Sequence, residues 1–190
     1  MAVESRAFRD CCGRFATGVT VLTTAHGDHV HGMTANAFMS VSLDPPLVAV
    51  SVARRARMHE LVQASGRYAV SILDESQEEV ALHFAGRPRR LVRDAFAWAG
   101  DLPVVSGAVG HLVCDIVQTV AAGDHTLFVG EVRWLWHRDG RPLLFFEGRL
   151  FGLEGQPIDP AVTPLPFPLE LTAMPAVVRP QGHTLVADYP

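Results

Sequence analysis

The spacing of apolar and polar residues changes period several times along this chain, and each change marks an element. Phe8, Cys11, Cys12 and Phe15 recur at i, i+3, i+4 and i+7, which predicts a helix over residues 5–15 with Ser5 at its N-cap. The period then drops to two. Val19, Val21 and Thr23 alternate with Thr20, Leu22 and Thr24, predicting a strand over 19–24. Residues 25–31 are polar, contain Gly27-Asp28 and are expected to form a hairpin loop. The return stretch, 32–52, opens with small and polar residues. Ser40 and Ser42 then alternate with Val41 and Leu43. Pro45-Pro46 follows, where two missing N–H donors break the ladder, and 47–52 reads as a buried strand. Two strands meeting at such a kink leave main-chain groups without ladder partners, and those groups must bond something else. A flat polar ring would suit them.

Beyond the kink, residues 54–58 are short and basic and lead into a helix ending near Ser65-Gly66, with Gly66 as a left-handed cap. Residues 67–73 alternate as a strand. Residues 74–84 are expected to be helical, Ser76 and Glu79 having capping-box spacing. Residues 85–107, with Gly86, Pro88, Gly100 and Pro103, read as irregular and carry Arg87, Arg89, Arg90 and Arg93. A long strand over 108–121, a Gly123-Asp124 bend, a strand over 126–136, an Asp139-Gly140 turn and a partner over 142–146 complete the pattern. Six or seven strands linked by hairpins, with a few short helices and no βαβ alternation, make the fold mainly β, an antiparallel barrel and not a doubly wound sheet. From residue 153 the composition shifts: eight of the last 38 residues are proline, yet Leu165, Phe167, Leu169, Leu171, Met174, Val177 and Val178 remain. A disordered tail is poorer in apolar residues, so this Pro-rich C-terminal extension is expected to pack, across a dimer partner, with plain disorder beyond about residue 175 as the alternative. The division is one domain over 1–153 and the extension over 154–190.

Composition narrows the classes. A net charge of −4 favours neither nucleic acid nor an anionic membrane as partner. All 16 basic residues are arginine, which excludes Schiff-base chemistry on a lysine. Cys11, Cys12 and Cys114 have neither CxxC nor metal-ligand spacing and fit a reducing, cytoplasmic setting. Cys11 and Cys12 fall on the apolar helix face and are expected to be buried. His26, His29 and His31 cluster in the hairpin loop, where an exposed polar loop explains them better than a metal; no metal site is expected. Residues 1–20 show no signal peptide, and no apolar run reaches the roughly 18 residues of a membrane span.

Three stretches could carry chemistry. A bent core hairpin would account for 32–53 without any ligand. Residues 51–59 place Arg54, Arg55 and Arg57 at a helix start, where free N–H groups and a positive dipole end would suit a phosphate, although taken alone the stretch reads more readily as a solvated basic loop. The Gly123-Asp124 bend sets His125 at the head of a strand, and Gly130 within that strand marks a close approach to the backbone.

These blocks also occur in a recognisable order. Arg14-Phe15-Ala16-Thr17-Gly18-Val19-Thr20-Val21-Leu22-Thr23-Thr24, the 32–46 block, Ser65-Gly66-Arg67-Tyr68-Ala69-Val70-Ser71-Ile72-Leu73, His83-Phe84-Ala85-Gly86 and Gly123-Asp124-His125-Thr126-Leu127-Phe128-Val129-Gly130-Glu131-Val132 together resemble the short-chain flavin reductases of two-component monooxygenases, over about residues 6–153. The resemblance implies a homodimeric split β-barrel that binds FMN or FAD and takes electrons from NADH or NADPH. It implies that Thr34, Ala35 and Asn36 and the strand end Ser51, Val52 and Ala53 meet the isoalloxazine, largely through main-chain groups. By the same resemblance the ribityl phosphate falls to the segment from Arg54, with Arg57 and His59; Phe84 lies by the flavin; His125 lines the nicotinamide site and is the catalytic candidate. Reduced flavin would pass to a partner oxygenase. Two other classes stay open: a flavoenzyme that keeps its flavin and acts on a small molecule, and a non-catalytic flavin or haem carrier. Gly148-Arg149-Leu150 stands where such chains often read Gly-Arg-Tyr.

Overall fold

The computed structural model describes residues 3–27, 29–87 and 95–153. Expectations for Asp28, Arg89, Arg90 and Arg93, and for the tail beyond residue 153, lie outside the described residues. Helix α1 (Ser5–Cys12) forms as the spacing requires, but Glu4, not Ser5, is its N-cap. No residue of α1 is buried. Cys11 and Cys12 are exposed, which overturns their expected burial, and Phe8 and Phe15 stand 60% and 77% exposed. The helix rides outside the sheets, so its apolar stripe finds no core.

After the short β1 (Thr17–Gly18), strands β2 (Thr20–His26) and β3 (His29–Ala35) pair from His26↔His29 inward. Ala25, His26 and residues 29–31 of the expected loop over 25–31 are thus strand. Strands β4 (Phe38–Leu43) and β5 (Pro46–Ala53) pair up to Leu43↔Pro46. The double proline therefore makes a tight hairpin, not an open kink: Pro46 opens β5, where its missing N–H costs nothing. Helix α2 (Arg57–Ser65) ends on Gly66 at φ 69°, the left-handed cap the pattern called for, and β6 (Arg67–Ile72) follows. The turn at Glu75–Gln77 leads into α3 (Glu78–Phe84). The capping box belongs to that turn and lies two residues earlier than expected. Asp74 accepts from the Ser76 N–H at 3.0 Å, and Gln77 Oε1 accepts from the Asp74 N–H at 3.0 Å.

The region expected to be irregular contains a hairpin of β7 (Phe96–Ala99) and β8 (Leu102–Val105). Long β9 (Gly110–Ala122) and β10 (His125–His137) follow, then β11 (Leu143–Phe146) and β12 (Arg149–Gly152). The described residues hold twelve strands, where six or seven were expected. The additional ones are segments of two to four residues, too short for a period to show in sequence.

Seven strands form one antiparallel sheet in the order β3-β2-β6-β9-β10-β5-β4; β1-β11-β12 and β7-β8 form two smaller ones. The outermost strands of the large sheet, β3 and β4, are consecutive in the chain and joined only by Asn36-Ala37. The sheet must therefore curl until its two edges meet, and the result is a split β-barrel. Ser51 N–H donates to the Ala37 carbonyl at 3.0 Å beside this seam. Inside lie Leu22, Val50, Val52, Met58, Tyr68 and Phe128, each at most 1% exposed. Burying a side chain of this kind contributes about 1.5–3 kcal/mol. Cys114 shares this core, and burial pushes its thiol up to about 12, so it is no nucleophile.

Candidate functional site

The site is built from strand parity. Along β5, Val48, Val50 and Val52 point inward, leaving Ser51 and Ala53 on the outer face. Val52 is 1% exposed and its main chain is laddered to Thr126 of β10, so it backs the site without facing the seam. The ladder between β4 and β5 ends at Phe38↔Val50. Ser51 and Ala53 direct their main-chain groups toward that side, because the Ser51 N–H reaches Ala37 while the Arg54 N–H turns the other way to the Asp124 carbonyl at 3.0 Å. The Ser51 C=O and the Ala53 N–H consequently face the seam with no strand opposite. The break in the ladder lies at Asn36-Ala37, not at the prolines. Such groups must be paired by water or by a ligand.

His125 stands opposite Ala53 on one side and Ala122 on the other, so a small side chain flanks the imidazole on both neighbouring strands. Its Nδ1 lies 2.7 Å from Asp124 Oδ1. A carboxylate only accepts, so Nδ1 carries the proton and Nε2 is the atom presented outward. The same bond, with the charge of the imidazole, holds the Asp124 carboxyl below its usual range. Asp124 was quoted within its motif but not singled out as a site residue. The adjacency to His125 was the available signal.

At the end of β3 the side chains are committed to structure. Thr34 Oγ1 donates to the Ala81 carbonyl of α3 at 2.6 Å, Thr20 Oγ1 donates to the Ala35 carbonyl at 2.7 Å, and Asn36 Nδ2 donates to Thr17 Oγ1 at 3.2 Å. Thr34, Ala35 and Asn36 line a groove of 330 Å³ with Arg87, Phe145 and Leu150. Leu150, the departure noted from the Gly-Arg-Tyr pattern, is thus a wall of this groove. Arg87 and Phe145 carry no sequence signal for it, because β11 reaches it only through the fold of the smaller sheet.

Phe84 is placed differently. It lines a separate cavity of 330 Å³ with His31, Gly32, His83 and Phe96. Its ring packs against Phe96 at 5.3 Å and edge-on to His83 at 4.9 Å. Gly32 makes room for it: a Cβ there would sit 2.7 Å from two ring atoms. Gly32→Ala is therefore expected to cost about 1–3 kcal/mol by overpacking, seen as a lower thermal midpoint. Gly32→Ala with Phe84→Leu should regain part of that loss; a double variant no better than the single one would show that Phe84 is not the cause.

The start of α2 lies under the barrel wall. Ala56 at its N-cap has no side-chain acceptor; the His59 N–H donates to the Ala56 carbonyl at 2.9 Å, which leaves the Arg57 and Met58 N–H groups uncapped beside Arg54 and Arg55. Burial lowers the pKa of His31, and the nearby charge of Arg57 lowers it further. His59 is already engaged. Its Nε2 lies 2.9 Å from Thr126 Oγ1 and its ring 5.4 Å from Phe128, on the inner side of β10. Among the described residues no three His, Cys, Asp or Glu side chains converge as a metal-holding group. Of the sequence-read residues, Ala53 and His125 are laddered neighbours and Thr34, Ala35 and Asn36 line one groove, while Val52 is turned into the core, Phe84 lines another cavity and His59 is held inside the wall.

Known proteins carry the same pattern. The family model described as the flavin reductase like domain matches residues 12–154. An NADH-dependent flavin reductase from Rhodococcus sp. is 52% identical over 149 residues, covering 77% of this chain and 85% of that protein. The reductase component of 4-hydroxyphenylacetate 3-monooxygenase from Thermus thermophilus is 41% identical over 142 residues, covering 74% and 91%. The solved structure of the flavin reductase PheA2 in its native state superposes with a TM-score of 0.78 at 48% identity, covering 80% of this chain and all of that one.

Proposed function

The chain belongs to the flavin reductase like domain family, and from that we propose an enzyme that reduces FMN or FAD with a reduced nicotinamide dinucleotide and supplies the reduced flavin to a partner monooxygenase. The observation that carries the site is the pair of unladdered groups at the seam, the Ser51 C=O and the Ala53 N–H, set beside small residues. A flat ring with polar edges fits there: donors and acceptors come from main chain, and Ala35 and Ala53 leave room for a plane.

A bound flavin would supply the acceptor for the nicotinamide hydride. The chain's residues do the rest. Thr34, Ala35, Asn36, Ser51 and Ala53 hold the ring through main-chain groups, so Thr34 and Asn36 tolerate substitution better than a catalytic acid; Val52, laddered to Thr126, backs them from the wall. Arg57 and the open N–H groups of α2 take the phosphate, with His59 shaping the wall behind them. Phe84 supports β3 from α3. His125, its Nδ1 proton committed to Asp124, presents Nε2 to the nicotinamide and fixes its orientation. Hydride transfer requires no acid or base from the protein; positioning and exclusion of water are its contribution.

The working domain is residues 1–153, with 154–190 as its extension. We read the protein as a homodimer, because Met39, Val41, Leu43, Val117 and Val120 are 53%, 45%, 68%, 50% and 38% exposed on β4 and β9, which lie on either side of the β10–β5 pair. Such a face marks an interface. No helix among the described residues is long and apolar enough to cross a membrane. Three free cysteines suit the cytoplasm.

The test is direct. Purified protein mixed with NADH or NADPH and either FMN or FAD should consume the 340 nm absorbance of the nicotinamide. Failure with all four pairs removes the proposal. Flavin retained through gel filtration, with slow reduction of added free flavin, would favour the enzyme that keeps its flavin.

A further inference from the structure

Trp134 and Trp136 lie toward the end of β10 opposite His125, which is about 35 Å away along the strand. They are laddered to Val113 and His111 of β9. Leu112 and Cys114 of that strand face the core, so Val113, His111 and the two tryptophans share the outer face of the sheet. There β8 packs on Ala69 and Val113, yet Trp134 and Trp136 remain 44% and 42% exposed. His111 stacks on Trp136 at 5.3 Å and 22°, which holds that indole as a flat platform. The charges at the rim are already paired: Arg133 with Asp115 and Glu131, Arg138 with Asp74. What the face still offers is two indole planes two residues apart.

The described chain stops at this same end of the molecule. The Leu153 carbonyl accepts from Arg141 Nη2, and Arg141 is five residues beyond Trp136. The family match ends at residue 154, and residues 155–190 continue past it. Among them Thr163-Pro164-Leu165-Pro166-Phe167-Pro168 has an unusual restriction. Each of the six is proline or precedes proline, and both cases confine the backbone to extended or polyproline angles. Residues 154–163 link Leu153 to this stretch and can span up to about 33 Å, more than the roughly 17 Å that the five residues from Trp136 to Arg141 can cover.

We infer that residues 163–169 of the extension dock on Trp134 and Trp136 of the same chain, with proline rings against indole faces. Aromatic surfaces bind Pro-rich segments because a backbone already extended has little conformational entropy left to lose. The charges agree: Asp159 and Glu170 bracket the segment, and Arg133 and Arg138 bracket the tryptophans. A second copy or another protein could meet the same indoles. The chain's own extension is delivered to them by its point of departure, at an effective concentration on the order of millimolar. Docked there, it lies at the far end of β10 from His125 and forms no cover over the seam.

The protein has three tryptophans, so 5-fluorotryptophan labelling gives three ¹⁹F resonances, assigned by Trp98→Phe, Trp134→Phe and Trp136→Phe. Replacing Pro164, Pro166 and Pro168 together by alanine leaves the described domain untouched and should lower the docking constant about tenfold or more. The Trp134 and Trp136 resonances should then move toward the position of an exposed indole, and that of Trp98 should stay. As a second measurement, chymotrypsin cleavage after Leu169 tracks the undocked fraction. Trp134→Ala leaves the cleaved sequence intact and should speed it about three- to tenfold, with an unchanged circular dichroism spectrum. Resonances that ignore the proline variant, or equal cleavage in Trp134→Ala and wild type, overturn the inference and leave the face to another partner. Resonances of the proline variant that shift with protein concentration show a second copy's sheet on the face and overturn it too. Mixing the labelled proline variant with unlabelled Trp134→Ala, Trp136→Ala protein should change nothing; recovery of the docked resonances would mean that the extension crosses to a second copy, against docking within one chain.

Discussion

Gly130→Ala destabilises this protein by about 2–4 kcal/mol, the sum of overpacking and of a phenol losing its hydrogen bonds. Gly130 lies in the middle of β10, and a Cβ there would stand 2.5 Å from Tyr68 Oη, 2.8 Å from Tyr68 Cζ and 2.8 Å from Cys114 Cβ. None of the three can retreat. Tyr68 is fully buried, and its hydroxyl lies 3.3 Å from both the Val48 and Phe128 carbonyls. Cys114 is on β9, laddered to β6 through Tyr68↔Cys114. For a domain of this size the loss corresponds to a fall of roughly 5–15 °C in thermal midpoint. Adding Tyr68→Phe removes the nearest clash but not the Cζ contact, so the double variant should recover only in part. A Gly130→Ala protein that melts with the wild type would mean that Tyr68 does not occupy this space.

The second large effect is on activity. His125→Ala is expected to lower kcat/KM for NADH by about 10–100-fold, the equivalent of one oriented hydrogen bond at about 1.4 kcal/mol per decade. Flavin Kd should change by less than about twofold, because the proposed ring contacts are main-chain groups of other strands. The asymmetry is the test: a similar loss for flavin would indicate a general collapse of the β5–β10 strand ends. NADH kinetics indistinguishable from wild type would remove His125 from the site. Asp124→Asn should give a smaller loss, since an amide at that position can still accept from Nδ1.

Much of the fold was legible because long strands declare their period. The strands later numbered β2, β5, β9 and β10, the Gly66 cap and the antiparallel class could all be read from alternation and turn chemistry. What was not legible shares a physical cause: the answer depended on what stands opposite. Ser76 with Glu79 and Asp74 with Gln77 have the same spacing, and only the position of the first helical turn selects the second pair. Cys11 and Cys12 lie on an apolar stripe, but a stripe is buried only if an element comes to cover it, and α1 has none among the described residues. Gly130 correctly signalled a close approach; the approaching atom belongs to Tyr68, not to a ligand. The double proline looked like the break in the ladder, yet two residues suffice for a hairpin there. The real break, at Asn36-Ala37, follows from sheet order, which no local pattern encodes. The site was legible as an ordered set of blocks. Which main-chain groups remain unpaired at Ser51 and Ala53 required the register.

The seam at Asn36-Ala37 also has a thermodynamic consequence. Because the edge strands are neighbours in the chain, the interruption in the barrel wall falls between two hairpins, 20–35 and 38–53, and a ligand lodged there bridges them where backbone pairing is missing. It acts as a removable rung. A rung that binds only the assembled wall stabilises it by RT ln(1 + [L]/Kd), about 2.7 kcal/mol at a hundredfold excess over Kd. A protein that releases its reduced product must keep that affinity modest. With the flavin seated as proposed, the firmness of the barrel would follow how much flavin surrounds it, and each turnover would briefly return the wall to its interrupted state.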